Sequence, residues 1–123
     1  MALGGAVYAE PVTIVALGDS LTAGYGLENQ ADGLVPQLEA WLRAKGADVV
    51  VQNAGVSGDT SAGGLARVDW ALGPDVDALI VTLGGNDMLR GLDPAGTRAS
   101  LEGVLRKAAA QGLPMLLVGM QAP

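Results

Sequence analysis

The run Val12-Thr13-Ile14-Val15-Ala16-Leu17 holds five apolar residues in six and leads directly into Gly18-Asp19-Ser20-Leu21. A run this uniformly apolar is typical of a strand that is covered on both faces, as in parallel sheets. Ser20 therefore follows the end of a predicted buried strand. A serine hydroxyl in that place can act as a nucleophile. Asp and Ser are also common helix N-caps, so capping by Asp19 or Ser20 is an open alternative.

Three more apolar runs follow along the chain, at Val49–Gln52, Ala78–Leu83 and Met115–Met120. Between the four runs lie three stretches in which apolar residues recur at helical spacing. These residues are Leu34, Leu38, Trp41 and Leu42, then Leu65, Val68 and Leu72, then Leu101, Val104, Leu105 and Ala108. Each stretch ends at a stop signal, namely Gly46, Gly73-Pro74, and Gly112 before Pro114. The alternation predicts a three-layer α/β fold whose parallel strands are joined by right-handed crossovers.

The composition restricts the class of function. The chain has 123 residues, which suits one domain, and half of them are hydrophobic, which argues against disorder. A net charge of −6 argues against a nucleic-acid surface and against adhesion to anionic lipid by charge alone. Cysteine and histidine are both absent from the sequence, which excludes disulfides and thiol catalysis and argues against structural zinc. We expect no metal and no cofactor.

The first nine residues differ from the rest of the chain. Val7-Tyr8-Ala9 fits the small-x-small pattern of a signal-peptide cleavage site before Glu10, although a basic opening segment is missing. We interpret residues 1–9 as a signal-peptide remnant, which predicts a periplasmic or secreted protein. A short leader on a cytoplasmic protein is the alternative. No run approaches the roughly 18 apolar residues that a membrane span requires.

Residues 10–123 are predicted to form the N-terminal portion of a single domain. The predicted strand Met115–Met120 is followed by only three residues, and a sheet of this type usually has a helix after its last inner strand. Without that helix, one face of the strand stays open. The alternative is that another chain covers the strand, so that two copies associate through an uncovered edge.

Polar clusters follow the first three predicted strands, at Gly18–Gly26, Asn53–Thr60 and Gly84–Asp87. Ligands of doubly wound sheets bind beyond the carboxyl ends of the strands, so we expect the three clusters to meet at one edge. Ser20 would supply a nucleophile there, with its own N–H near a helix start. The Gly58 N–H and the Asn86 amide could face the same developing oxyanion.

Each of these residues also has a structural interpretation. Asn86-Asp87 could cap a helix, and Gly58 could serve only the turn in which it lies. Thr60 and Ser61 are expected to cap the second long helix.

In combination, three motifs resemble the first three sequence blocks of the SGNH (GDSL) hydrolases. They are Gly18-Asp19-Ser20-Leu21, Gly58 within Ser57-Gly58-Asp59-Thr60, and Gly84-Gly85-Asn86-Asp87. The likeness extends to Leu89-Arg90-Gly91, covers nearly all of the chain beyond Glu10, and is greatest to the bacterial thioesterase I/lysophospholipase L1 and arylesterase branch. The resemblance implies a flavodoxin-like α/β/α fold. It also implies a serine esterase that acts on carboxylic esters or thioesters, with small-molecule or lipid-like substrates.

The resemblance further implies roles for individual residues. Ser20 would be the nucleophile, and the N–H groups of Ser20 and Gly58 with the Asn86 amide would form the oxyanion hole. Asp19 and Asp87 would be supporting neighbours of these positions. The catalytic Asp and His of the family come from an Asp-x-x-His block that is absent from this sequence. A serine without its base loses several orders of magnitude in rate, so we expect this chain to be inactive or barely active on esters.

A non-catalytic flavodoxin-like module that binds a nucleotide or a carbohydrate ester is the alternative function, because a fold alone does not determine function. The sequence contains no phosphate-binding Gly-x-x-x-x-Gly-Lys-Ser/Thr loop, and Gly24-Tyr25-Gly26 lacks the third glycine of a dinucleotide fingerprint.

Overall fold

The structure is a computed structural model and describes residues 10–121. The predicted signal-peptide remnant therefore lies outside the described residues. In chain order the elements are β1 (Val12–Gly18), α1 (Ser20–Ala23), a 3-10 helix (Gln30–Asp32), α2 (Leu34–Ala44), β2 (Val49–Gly55), α3 (Ser61–Ala71), β3 (Ala78–Thr82), α4 (Gly85–Leu89), α5 (Pro94–Ala110) and β4 (Met115–Leu117). Among these residues, no helix is both long enough and apolar enough to cross a membrane.

The four strands form one parallel sheet in the order β2-β1-β3-β4. The last residue of β1, Gly18, pairs with Gly55 of β2 and with Thr82 of β3. The carboxyl ends of these three strands are therefore level. The loops that follow them all leave the sheet at the same edge, as the polar clusters predict.

Helices cover both faces of the sheet, which confirms the predicted three-layer α/β fold. Side chains alternate between the faces along each strand. In β1, Val15 and Leu17 pack against α3 and α5, whereas Ala16 packs against α2 on the opposite face. The larger core is the one shared by β1, β3, α3 and α5. Its buried members are Val15, Leu17, Val68, Leu72, Val76, Leu79, Val81, Leu83, Val104 and Ala108.

The buried face of α2 differs from the predicted one. The sequence predicts Leu34 and Trp41 on that face, but both are exposed, Trp41 to 58%. The stripe that packs on the sheet is instead Val35, Leu38 and Leu42, which also has helical spacing. Trp41 lies beside this stripe. The Lys45 Nζ is 5.2 Å from the centroid of its ring, and this cation–π contact partly offsets the cost of exposing the ring to water.

The ends of all four strands also differ from the prediction. β1 continues one residue beyond Leu17, to Gly18. β2 continues beyond Gln52 to Gly55, because its last residues pair with the end of β1. β3 ends at Thr82, one residue early. β4 is only Met115–Leu117, and all three of its side chains are exposed rather than covered on both faces. The sequence suggested helix starts near Ser20 and Asn86 but predicted no bounds for α1, α4 or the 3-10 helix, because a single turn has too few residues to show periodicity.

Candidate active site

Ser20 is the first residue of α1, directly after β1. The preceding residue, Asp19, is buried and caps this helix, its Oδ1 accepting a hydrogen bond of 3.0 Å from the Leu21 N–H. The capping interpretation is therefore correct for Asp19. Ser20 does not act as a cap. Among residues 10–121, neither the Ser20 hydroxyl nor the Ser20 N–H has a hydrogen-bond partner.

Gly58 lies in a tight turn between β2 and α3. The Asp59 N–H donates to the Val56 carbonyl at 3.1 Å, and Gly58 has a φ of +79°, which is the third position of a type II turn. Glycine is required there because a side chain strains that backbone conformation. The Gly58 N–H has no partner in the described part of the chain, and a Cβ at Gly58 would meet nothing nearer than the Arg90 Nη2 at 3.6 Å.

Asn86 joins the loop after β3 to the turn that contains Gly58. Its Nδ2 donates a hydrogen bond of 2.9 Å to the backbone carbonyl of Asp59. An amide nitrogen has two hydrogens, so one N–H of Asn86 stays available for another acceptor. The alternative that Asn86-Asp87 caps a helix is wrong, because both residues lie inside α4 and the cap position is Gly84, without a side-chain bond.

Asp87 is a buried carboxylate, 4% exposed, that ties three helices together. It accepts from the Ser61 N–H (2.8 Å), the Ser61 hydroxyl (2.6 Å) and the Thr97 hydroxyl (2.8 Å). Burial alone raises the pKa of Asp87, but the bonds from Ser61 and Thr97 outweigh it and hold the pKa below its ordinary value. Ser61 therefore does not cap α3 as predicted. Thr60 does, by accepting from the Gly63 N–H at 3.2 Å.

Arg67 of α3 is a residue that the sequence did not single out. Its guanidinium reaches the Asp59 Oδ2 (2.7 Å), the Ala54 carbonyl (2.8 Å) and the Gly18 carbonyl (2.9 Å). The available signal was a single basic residue within α3, next to the apolar Val68. That signal does not indicate which groups the side chain reaches, because all three lie outside its own helix.

The three loops meet at the carboxyl edge of the sheet. The loops after β2 and β3 are joined by Asn86, and the Asp19 Oδ2 lies 3.9 Å from the place a Cβ on Gly85 would take. Ser20, Gly58 and Asn86 are thus on neighbouring segments of one rim. Within residues 10–121, no group of three His, Cys, Asp or Glu residues is placed to hold a metal ion.

Comparison with known proteins agrees with this arrangement. Residues 16–123 match the model of the GDSL-like Lipase/Acylhydrolase family, which is most of the chain. The chain belongs to this family. The family's GDSL motif is present here as Gly18-Asp19-Ser20-Leu21, at the junction of β1 and α1.

Individual members of the GDSL-like family support the assignment. The chain is 46% identical over 112 residues to the esterase TesA of Pseudomonas aeruginosa, covering 90% of this chain and 55% of TesA. It is 37% identical over 112 residues to thioesterase 1/protease 1/lysophospholipase L1 of Escherichia coli, covering 90% of this chain and 52% of that enzyme. The crystal structure of AlinE4, an SGNH-hydrolase family esterase, superposes with a TM-score of 0.89 at 47% identity, over 95% of this chain and 63% of AlinE4. The chain thus spans about half the length of these curated relatives.

Proposed function

We propose that this chain carries the nucleophile and the oxyanion hole of a serine esterase that acts on carboxylic esters or thioesters. Ser20 is the nucleophile, and the hole consists of the N–H groups of Ser20 and Gly58 together with the Asn86 amide. The observation that carries the proposal is that, within residues 10–121, each of these donors has an N–H without an acceptor and lies on one rim with a hydroxyl that has no partner. The esterase and thioesterase names of its relatives support the same reaction class.

The proposed reaction proceeds through an acyl-enzyme. The Ser20 Oγ attacks the carbonyl carbon of the ester, and the carbonyl oxygen becomes an oxyanion that the three donors stabilise. The tetrahedral intermediate then collapses: the bond to the alcohol or thiol breaks, and the acyl group stays on Ser20. Water subsequently attacks this acyl-serine, which releases the carboxylic acid and restores the hydroxyl.

Proton removal from Ser20 is the weak step in this chain. The sequence contains no histidine, and within residues 10–121 neither neighbouring carboxylate accepts a hydrogen bond from the Ser20 hydroxyl. Asp19 caps α1 through Oδ1, and Asp87 accepts three hydrogen bonds away from Ser20. The proton must therefore pass to solvent. We expect hydrolysis of a short-chain p-nitrophenyl ester to be barely above the rate of the Ser20→Ala variant. A robust rate that Ser20→Ala abolishes would contradict this expectation.

Covalent labelling tests the nucleophile without requiring turnover. A p-nitrophenyl phosphonate ester should modify the chain slowly at Ser20, releasing p-nitrophenolate, as followed by absorbance and by intact and peptide mass. Ser20→Ala should not be labelled, whereas Ser57→Ala, at an exposed serine in the neighbouring turn, should be labelled at the wild-type rate. Binding of a flavin or nucleotide without labelling would favour the binding-module alternative instead.

We also propose that the protein functions outside the cytoplasm, as the pattern Val7-Tyr8-Ala9 before Glu10 suggests. Sequencing the mature N-terminus of the protein from its native cells tests this proposal. A mature chain that begins at Glu10 would support export, and retention of residues 1–9 would contradict it.

A further inference from the structure

We infer that Arg67 is the positioning residue of this site: it holds the proposed oxyanion donors at their spacing from Ser20 without contacting the substrate. The inference rests on the proposed function, because it assigns Arg67 a part in the same site. Three backbone or side-chain acceptors meet on one guanidinium: Gly18 lies two residues before Ser20, Asp59 directly follows Gly58, and Ala54 lies at the end of β2, which leads into the Gly58 turn.

The first two bonds of Arg67 hold the ends of β1 and β2. Gly18 and Gly55 are the last paired residues of these strands, and beyond them the chains separate. Arg67 bonds the Gly18 carbonyl through Nη2 and the Ala54 carbonyl through Nη1. The Gly18 carbonyl also accepts from the Val56 N–H at 3.0 Å. The backbone two residues before Ser20 is therefore tied to the start of the Gly58 turn.

The third bond of Arg67 holds the turn itself. Its Nε donates to the Asp59 Oδ2 at 2.7 Å, and both side chains are mostly buried, Arg67 to 23% exposure. Asp59 directly follows Gly58, and its backbone carbonyl accepts the bond from the Asn86 Nδ2. One side chain thus connects, through Asp59, the two hydrogen-bond donors that do not belong to Ser20.

Only arginine can make this set of contacts. Its planar guanidinium offers five N–H donors in a fixed fork, whereas a lysine ammonium is a single compact charge that cannot reach acceptors on three separate segments together. A misplacement of about 1 Å in a catalytic group can cost on the order of 100-fold in rate. We therefore expect Arg67→Ala and Arg67→Lys to slow phosphonylation of Ser20 by about tenfold or more.

The experiment compares rate constants for labelling of Ser20 by the p-nitrophenyl phosphonate in the full chain. Wild type, Arg67→Ala and Arg67→Lys are compared with two control variants, Val104→Ala and Arg98→Ala. Val104→Ala removes buried core atoms on α5, far in sequence from the three loops, and reproduces a general loss of stability. Arg98→Ala removes an exposed arginine from α5, the helix that also carries Val104. Urea unfolding of every variant identifies conditions in which all are folded.

A specific slowing of both Arg67 variants, with the controls near wild type, supports the inference. Added guanidinium ion should partly restore labelling of Arg67→Ala and leave Val104→Ala unchanged, because only the former has lost a guanidinium. If Arg67→Ala fails to fold, Arg67→Lys retains the charge and most of the stem and decides the question. Labelling of the Arg67 variants at the wild-type rate, or slowing no greater than in Val104→Ala, overturns the inference.

Failure of wild type to label would instead refute the proposed nucleophile. Amide hydrogen exchange then decides the positioning role separately. Arg67→Lys should accelerate exchange at the Val56 and Asp59 amides, which donate to the Gly18 and Val56 carbonyls, but not at Val81 in the middle of the sheet. Val104→Ala should not produce this local pattern. Unchanged exchange at Val56 and Asp59 would overturn the role of Arg67 regardless of labelling.

Discussion

At Asp87, three hydrogen-bond donors surround a carboxylate that burial alone would tend to keep protonated. The donors come from the first residue of α3 and from α5, so the charge holds together elements that are separate in sequence. A buried charge is strongly destabilising when its partners are removed and acceptable when they are all present. Asp87 therefore holds α3 and α5 to α4 at the residue next to the proposed Asn86 donor.

Replacement of this carboxylate should destabilise the protein. In Asp87→Asn the amide supplies only one acceptor oxygen, and its NH2 group faces donors. We expect a loss of about 2 kcal/mol or more in the free energy of unfolding, measured by urea denaturation. The matched control is Asp93→Asn, because Asp93 caps α5 on the surface and asparagine caps a helix equally well. Equal effects of the two substitutions would contradict this assignment.

The same carboxylate predicts a dependence of stability on pH. The pKa of Asp87 is lower in the folded protein than in the unfolded chain, so unfolding takes up protons as the pH falls. Its contribution is fully present above the ordinary aspartate pKa of about 3.9 and is lost as the pH falls through the lower folded value. The difference in urea midpoint between wild type and Asp87→Asn should be constant from pH 6 to 5 and shrink below about pH 4. A difference in urea midpoint that stays constant from pH 6 to below about pH 4 would disprove the role of the charge.

Among the elements, the single-turn helix α1 depends on close contact with β2. A Cβ added at Gly55 would lie 2.3 Å from the Ala23 nitrogen and 2.8 Å from the Ala23 Cα. These are backbone atoms that cannot rotate away. Glycine at this position therefore allows α1, and with it Ser20, to lie against the end of the sheet.

Gly55→Ala should push α1 away from β2. We expect a loss of about 1–3 kcal/mol in the free energy of unfolding, together with slower phosphonylation of Ser20. Gly73→Ala is the control, since a Cβ there meets nothing within 4 Å and the backbone φ is not positive. The control should be neutral or slightly stabilising. A Gly55→Ala variant as stable as Gly73→Ala would show that α1 does not need this contact.

In the whole molecule, β4 lies at one edge of the described sheet and pairs only with β3 there. Its exposed apolar side chains, with Leu116 at 59%, form a surface that a second copy could cover. The net charge of −6 opposes such contact by repulsion between copies. Added salt weakens this repulsion.

We therefore expect reversible self-association that increases with protein concentration and with salt, measured by sedimentation velocity. Leu116→Lys should reduce it, because the substitution introduces a charge on the edge strand. Trp70→Lys makes the same change of charge on the outer surface of α3, where Trp70 is 89% exposed, and should leave association unchanged. A monodisperse monomer at high concentration and high salt would rule out this interface, and so would equal effects of the two lysines.

Local sequence patterns were sufficient to predict most of the fold. The apolar runs predicted all four strands, and the glycine and proline signals predicted the helix ends to within a few residues. The prediction of the buried stripe of α2 was wrong for Leu34 and Trp41, because these residues have nearly the same helical spacing as the residues that are buried. Only the surface presented by the sheet decides between the two. The ends of β2 and β4 were wrong for a similar reason, since pairing with a neighbouring strand sets them.

In the candidate site, too, local patterns identified some residues and tertiary packing decided the others. Ser20, Gly58 and Asn86 were identified because each lies in a polar cluster that follows a predicted strand, and parallel topology brings the ends of parallel strands together. Their chemical roles remain predictions. Arg67 and the bonds of Asp87 could not be identified, because their partners are distant in sequence and a side chain's reach depends on how helices pack.

By itself, the sequence determined the order of strands and helices along the chain, the family, and the absence of histidine from these 123 residues, because these follow from residue identity and near-neighbour spacing. Only the tertiary structure decided which side chains hold the loops at their separation. That depends on the packing of α3, α4 and α5 against the sheet, which short-range patterns do not encode.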